Sequence, residues 1–246
     1  MRDSFFYLFL VLFISCGDHS KEMKEPIMVE SESDFIKDTL RSVNKYANFS
    51  TAKIEPKDVI QTGISDVRLI SIHKKNSVNS TIYYKDDKHA NDVRIDINFI
   101  PGVAFMYGYN MVNLAHCSLK ETKKSHLFQK LGWIKSLYYP SLEKDSIDKK
   151  PIFRDFILAS VYNEDTSKDK LINKNDLRRL YYFDIQNTLQ QLLTPKDCSV
   201  YKSEYDDRNN AMLLFARNYI NQNGTMDKDE PISIFTIDIK IQEKLN

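Results

Sequence analysis

The segment Arg178-Arg-Leu-Tyr-Tyr-Phe-Asp-Ile185 recurs in altered form at two other places in the chain. The sequence around it is rich in β-branched and aromatic residues, which favours extended strands. Val112-Asn-Leu-Ala-His-Cys-Ser-Leu119 and Ile232-Ser-Ile-Phe-Thr-Ile-Asp-Ile239 align with it without gaps. The chain therefore repeats one strand three times. The matching sets are Leu114, Leu180 and Ile234; Cys117, Phe183 and Ile237; Leu119, Ile185 and Ile239; and Ser118, Asp184 and Asp238.

Further strand-like runs flank each repeated strand. In the middle unit, Ile134-Lys-Ser-Leu-Tyr-Tyr139 and Asp155-Phe-Ile-Leu-Ala-Ser-Val-Tyr162 precede it and Leu189-Gln-Gln-Leu-Leu193 follows it. In the first unit the preceding runs are 67–72 and 93–99. Four strands at a period of ~50–65 residues are typical of a propeller blade. The sequence therefore predicts a mainly β domain over 33–246, with four-stranded units at about 66–128, 134–193 and 199–246.

The turn that follows the middle repeat adds a family resemblance. Residues 180–195, an apolar and aromatic strand ending in Asp-Ile and followed by Leu-Leu-Thr-Pro, resemble blades of TolB-type, WD40-like β-propeller proteins. Closed propellers need four or more blades, so three units leave two alternatives. Either residues 50–110 contain a divergent extra blade, or the units form an open stack closed by an N-terminal helix. We expect the open stack.

That helix is predicted over residues 34–47. Ser33 suits a helix N-cap and Asp34 falls in the first turn. Apolar residues then recur at helical spacing, which gives the helix one face to lay against a sheet. These residues are Ile36, Leu40, Val43 and Ala47.

Tyrosine doublets occur within the predicted strands, as in Tyr138-Tyr139 and Tyr181-Tyr182. Side chains alternate between the two faces of a strand, so each doublet puts one ring on each face. We expect one ring inside and one at the surface. The alternative is an aromatic platform for a glycan or a peptide.

The first residues have the pattern of an exported lipoprotein. Phe5 to Ile14 form an apolar block that suits a signal-peptide core but is too short to span ~30 Å of hydrocarbon. Ser15-Cys16-Gly17 resembles the lipobox of bacterial lipoproteins, although Phe13 stands where Leu is usual. The alternative is an ordinary cleaved signal with a chance cysteine. We predict a signal peptide at 1–15, a lipid on Cys16, a flexible tether over 16–32, and an outer-membrane lipoprotein of the bacterial envelope.

Composition excludes several classes of function. Thirty-five Lys and Arg against 34 Asp and Glu give a formal net charge of +1, so no long-range field exists to gather nucleic acid. No Gly-rich phosphate loop, Gly-x-Ser-x-Gly elbow, His-Glu-x-x-His pair or zinc-type spacing occurs. We therefore expect no nucleic-acid partner and recognise no catalytic motif. A disulfide between Cys117 and Cys198 is allowed in the envelope but not required.

Residues 165–176 have the spacing of a calcium loop. Asp165, Ser167 and Asp169 supply side-chain oxygens at positions one, three and five, the Leu171 carbonyl stands at position seven, and Asp176 closes the loop at position twelve. Position six is Lys170, where glycine is usual because of its positive φ. Calcium is the predicted ion. The alternative is a solvated turn in which Asp and Asn bond their own backbone.

A second, shorter loop runs from Asn221 to Glu230, at the equivalent place in the third unit. If Asn221 stands at position one, this loop has an amide where the first loop has the carboxylate of Asp165. Two unrelated polar loops would rarely fall at one structural position, which favours an inherited metal loop. Its weaker candidate ligands are Asn221, Asn223, Asp227 and Asp229.

A second resemblance concerns the region around these loops. Residues 154–184, together with Pro231 after Asp229-Glu230, resemble uncharacterised EF-hand-motif lipoproteins of Bacteroidota. The resemblance implies an envelope lipoprotein and no particular reaction. We expect a lipid-anchored binding or scaffold module with an unknown protein or glycan partner. The alternatives are an envelope hydrolase with a loop-borne site and a structural accessory subunit, which a large exposed apolar face would favour.

Overall fold

The computed structural model describes Phe49 and residues 52–75, 100–107, 110–120, 123–206, 208–221, 223 and 227–238. Over these residues the chain is mainly β, as predicted, with almost no helix, and none of its antiparallel sheets closes. No helix in these ranges is long and apolar enough to cross a membrane. The predicted signal peptide 1–15, Cys16, the tether 16–32, the helix 34–47 and the strand 93–99 lie outside the described residues.

The described strands form three main sheets and one separate hairpin. The first sheet has the order β1-β2-β4-β5, the second β11-β10-β9-β6-β3 and the third β12-β13-β14, while β7 pairs only with β8. Every pairing is antiparallel. The strands are β1 (Ile54–Gln61), β2 (Val67–Lys74), β3 (Val103–Tyr107), β4 (Met111–Ser118), β5 (Lys123–His126), β6 (Trp133–Pro140), β7 (Asp145–Ile147), β8 (Lys150–Ile152), β9 (Phe156–Tyr162), β10 (Arg179–Asp184), β11 (Gln190–Leu192), β12 (Cys198–Asp206), β13 (Ala211–Asn218) and β14 (Ile232–Asp238).

The strands predicted for the middle unit are present in one sheet, whereas the described sheets differ from the other predicted units. All four strands expected for 134–193 are present and lie side by side in chain order, as β6, β9, β10 and β11. The first sheet, however, begins at β1, before the expected start at 66, and β3 joins the second sheet instead of the first. β1 contains Pro56 and a bulge between Pro56 and Val59. These interrupt the alternation of apolar residues, which explains why the sequence pattern did not reveal this strand.

The second sheet is buried on both faces. Tyr181 and Phe183 point into a core shared with the first sheet, while Leu180 and Tyr182 point into a core shared with the third sheet. Tyr181 and Tyr182 are each only 9% exposed. The expectation of one inner and one surface ring is therefore wrong for this doublet, because the strand lies between two other sheets.

Two glycines stand where the backbone passes close to a neighbouring strand end. The Gly63 N–H, in the turn after β1, donates to Pro140 O at 2.9 Å, and a Cβ on Gly63 would lie 2.1 Å from Ser141 O. Near the other end of β6, a Cβ on Gly132 would lie 2.6 Å from Tyr162 O. At both places any side chain would collide with backbone.

The carboxylate at the end of the repeated strand stabilises the turn that follows. Asp184 accepts hydrogen bonds from the Thr188 N–H at 2.7 Å and the Leu189 N–H at 2.6 Å, and Asn187, directly before these donors, has a φ of 55°. A short polar side chain that caps backbone donors explains an Asp at this position. The Asn187 side chain also donates to Ser125 Oγ at 2.8 Å, which ties this turn to the first sheet.

The two described cysteines are free and buried. Cys117 lies in β4 of the first sheet and Cys198 begins β12 of the third sheet. Burial raises the pKa of the Cys117 thiol, with Lys124 opposing it, and burial also raises the pKa of Cys198. Both thiols are therefore protonated and weakly nucleophilic at neutral pH.

Candidate functional site

The candidate calcium loop connects β9 to β10 and is fixed to the core by one apolar side chain. Ile172 is fully buried and packs in a cluster with Ile72 and Val112 of the first sheet. The indole N–H of Trp133 donates to the Ile172 carbonyl at 2.8 Å. The apolar residue expected at position eight thus attaches the loop to the first sheet.

The backbone of the loop makes the turn that position six requires. The Lys170 N–H donates to Asp165 Oδ2 at 3.0 Å, so the first carboxylate caps the middle of the loop. Lys170 has a φ of 67° and Lys168 a φ of 61°. Such conformations are strained for residues with a Cβ, so the lysines adopt a geometry that suits glycine.

The oxygens of positions one, three and five converge. Ser167 Oγ lies 3.5 Å from Asp165 Oδ1. Asp169 accepts from the Leu171 N–H at 2.8 Å and from the Asn173 side-chain amide at 2.9 Å. The Leu171 N–H, then the Asn173 amide and the Ser167 hydroxyl, lower the pKa of Asp169, so this exposed carboxyl is ionised at neutral pH.

Asp176 has a different environment from the other two acids. It is only 1% exposed. Its Oδ1 accepts from the backbone N–H groups of Thr166 at 2.9 Å and Ser167 at 3.0 Å, and its Oδ2 accepts from the Asn173 N–H at 2.8 Å. Both ends of the loop are therefore tied to one buried carboxylate.

Only the side of the loop that carries positions one, three and five is arranged to bind a hard cation. Side-chain oxygens at positions one, three and five are the ligands that calcium prefers, and they lie together. Asp176 instead faces backbone amides and would have to exchange those donors for an ion. Within the described residues, no group of three or more His, Cys, Asp or Glu side chains has the arrangement of a metal site.

The loop between β13 and β14 is built around a carboxylate in the same way. Glu230 is 7% exposed. Its Oε1 accepts from the Ile220 N–H at 3.0 Å and the Asn221 N–H at 3.5 Å, and its Oε2 accepts from the Asp227 N–H at 3.2 Å. We call residues 165–176 the second-sheet loop and residues 219–230 the third-sheet loop.

Hydrogen bonds within the backbone extend the equivalence. The Thr166 N–H donates to Glu164 O at 3.1 Å, as the Ile220 N–H does to Asn218 O at 3.1 Å. The Asp176 N–H donates to Asn173 O at 3.2 Å, and the Glu230 N–H donates to Asp227 O at 3.4 Å. The two loops therefore share one register. Tyr219 stands in the place of Asp165, Asn221 of Ser167, Asn223 of Asp169, Asp227 of Asn173 and Glu230 of Asp176.

This register differs from the one read from the sequence. Asn221 is the third residue of the third-sheet loop and not the first, and Glu230 was missed as its closing carboxylate. The information was in the strand repeat: the alignment of Leu180 with Ile234, continued backwards, places Asp176 opposite Glu230. Of the predicted ligands, Asp227 accepts from the side-chain amides of Asn221 and Asn223, both at 2.7 Å.

Both loops begin and end near the start of β12. At the start of β10, Arg178 O accepts from the Val200 N–H of β12 at 2.8 Å. At the start of β12, Cys198 pairs with Asn218, the last residue of β13. The ends of the two loops are therefore separated by only one strand, β12.

The comparisons with known proteins add no family. Compared with protein-family models and with curated protein sequences, the chain matches none. The resemblances to TolB-type, WD40-like blades and to EF-hand-motif lipoproteins stay predictions.

Replacing Ile172 with Ala should lower the stability of the protein by about 2–4 kcal/mol, because it leaves a cavity between the loop and the first sheet. Its neighbour Leu171 is 38% exposed and provides the matched control. Leu171→Ala should cost less than about 1 kcal/mol. Urea unfolding of the two variants measures the difference, and equal losses would contradict the anchoring role of Ile172.

Proposed function

We propose that this chain is a lipid-anchored binding or scaffold module of the bacterial envelope, with its second-sheet loop taking a calcium ion. The observation that carries the calcium proposal is the Lys170 N–H bond to Asp165. It supports the proposal because the backbone already makes the position-six turn, with the oxygens of positions one, three and five gathered beside it.

The proposed ligands are the side chains at positions one, three, five and twelve and the carbonyl at position seven. A bound calcium ion would neutralise the carboxylates and cross-link the two ends of the loop. Lys168 and Lys170 oppose binding electrostatically, so we propose weak binding that stabilises the fold. The proposed ligands are Asp165, Ser167, Asp169, the Leu171 carbonyl and Asp176.

We propose further that the three sheets are blade-like units of an incompletely closed, propeller-like domain. Support comes from the second sheet, where β6, β9, β10 and β11 form an antiparallel meander in chain order. The first and third sheets pack on its two faces, as neighbouring blades do.

The buried tyrosines of the core are poor candidates for one catalytic role, that of a general base. Burial, followed by the charges of Asp155 and Asp184, raises the pKa of Tyr182 to about 12. The pKa values of Tyr138 and Tyr181 are also raised, in both cases chiefly by burial. These phenols stay protonated at neutral pH and are poorly suited to act as general bases.

Calcium at ~5 mM should raise the melting temperature by about 2–8 °C, if affinity is the ~0.1–1 mM typical of extracellular sites. The double variant Asp165→Asn/Asp169→Asn should lose this shift while keeping, on each side chain, one oxygen that can accept the backbone N–H bond from Lys170 or Leu171. Differential scanning calorimetry with calcium, magnesium or EDTA measures it. Asp148→Asn, in the turn between β7 and β8, should retain the full shift. A shift that persists in the double variant would place the ion elsewhere.

Lipidation should require Cys16. The wild-type protein, expressed in a bacterium with a lipoprotein pathway, should incorporate labelled palmitate and partition into the membrane. Cys16→Ser should abolish the label, since no thioether can form. The buried Cys117 gives the control, and Cys117→Ser should keep the label. Label in Cys16→Ser, or none in the wild type, would reject the anchor.

A second candidate function, a structural accessory subunit, is favoured by the outer face of the third sheet. There Ile232 and Ile234 of β14 are 43% and 59% exposed. Adjacent on the same face, Phe215 of β13 pairs with Ile234, and Lys202 Nζ lies 4.3 Å from the centre of the Phe215 ring. Large apolar side chains exposed next to each other are typical of an interface.

If this face binds another subunit, Ile234→Lys should abolish co-purification of that subunit from cross-linked envelopes. The variant itself should fold normally because the side chain is exposed. Thr236→Lys, on the same strand and also exposed, tests how far the contact extends. Unchanged co-purification in both variants would leave the face without this role.

A further inference from the structure

We infer that Glu230 is the anchor of the third-sheet loop, and that this loop closes on the carboxylate without a cation. Asp176 has the same role in the second-sheet loop, where the proposed calcium site is an addition to it. This inference stands independently of calcium binding, because it rests on hydrogen bonds to the protein's own backbone.

The Glu230 side chain is buried at 7% exposure. A carboxylate buried to this degree is costly unless donors replace its hydration. Three backbone N–H groups, from Ile220, Asn221 and Asp227, point at its two oxygens. Hydrogen bonds to an ionised acceptor are about twice as strong as neutral ones. These three bonds therefore offset the cost of burying the carboxylate, and they also order the loop.

The third-sheet loop has no acid at its first position. Tyr219 occupies the place of Asp165, so no carboxylate stands at position one. Asn221 and Asn223 occupy positions three and five, and their amides both donate to Asp227. Among the described residues of this loop, the Asn221 and Asn223 amides therefore bond to the Asp227 carboxylate.

One hydrogen bond of the second-sheet loop has lost both its donor and its acceptor in the third-sheet loop. In the second-sheet loop, Thr166 Oγ1 accepts from the Leu177 N–H at 2.9 Å. The equivalent residues in the third-sheet loop are Ile220 and Pro231. Isoleucine has no hydroxyl to accept and proline has no N–H to donate, so donor and acceptor are lost together. The anchor bonds to the carboxylate are retained in both loops.

The main chain beside the Glu230 carboxylate is also bound to the third sheet. Arg217, at the end of β13, donates to the carbonyls of Lys228 and Glu230, the latter at 3.1 Å. Its guanidinium lies 5.0 Å from the centre of the Tyr201 ring on β12. Arg217 thus ties the main chain of the third-sheet loop to β12 and β13.

The test is hydrogen exchange of individual amides in the full chain, with Glu230→Gln compared to Asp229→Asn. Gln keeps the size but replaces one acceptor oxygen with an amide group that donates. Exchange at Ile220, Asn221 and Asp227 should become about tenfold faster or more. The change should be the same in EDTA and in calcium. Asp229, which is exposed, should tolerate the change without effect.

Two results would overturn the inference. One is normal protection of the three amides in Glu230→Gln, and the other is calcium slowing their exchange in the wild-type protein. If Glu230→Gln does not fold, Glu230→Asp retains the charge and withdraws it by one methylene. That variant should also speed exchange at these amides, and unchanged protection would overturn the inference equally. Asp176→Asn, measured at Thr166, Ser167 and Asn173, should reproduce the effect in the other loop.

Discussion

Burial of the second sheet on both faces is the constraint on which the other sheets depend. A sheet whose Tyr181 and Phe183 point one way and whose Leu180 and Tyr182 point the other has no face for water. It requires an apolar partner on each side, and the first and third sheets supply them. The close contact of Gly63 with Pro140 and Ser141 follows from this, because packing the first sheet on the end of β6 brings backbone against backbone.

The sequence predicted the fold where alternation was regular. β10 was recognisable from the repeat, and its match to Ile232–Asp238 found β14. β1 was missed because Pro56 and a bulge break its pattern, and β3 was missed because a five-residue apolar run carries no periodicity. The separate β7–β8 hairpin consists of two three-residue strands, which are too short to show any alternation.

Prediction of the site was less complete, for a physical reason. Spacing identified Asp165, Ser167 and Asp169 as neighbours, since a tight turn brings alternate side chains to one side. It could not distinguish an oxygen that faces an ion from one that faces an amide. Asp176 matches position twelve of a calcium loop, yet in this structure its oxygens accept three backbone N–H bonds.

Comparison of the two loops shows that closing the turn and binding a cation have different requirements. Closing needs one buried acceptor opposite several amides, and either Asp176 or Glu230 provides it. Binding needs further carboxylates on the open side, and there the loops differ: Asp169 pairs with Asn173, whereas Asn223 pairs with Asp227, so acid and amide have exchanged places. Such an exchange keeps the hydrogen bond between the two positions while moving the negative charge along the loop. A calcium-like spacing is therefore evidence for the backbone conformation of the loop. Its affinity for a cation depends in addition on which residue of each hydrogen-bonded pair, Asp169–Asn173 or Asn223–Asp227, carries the charge.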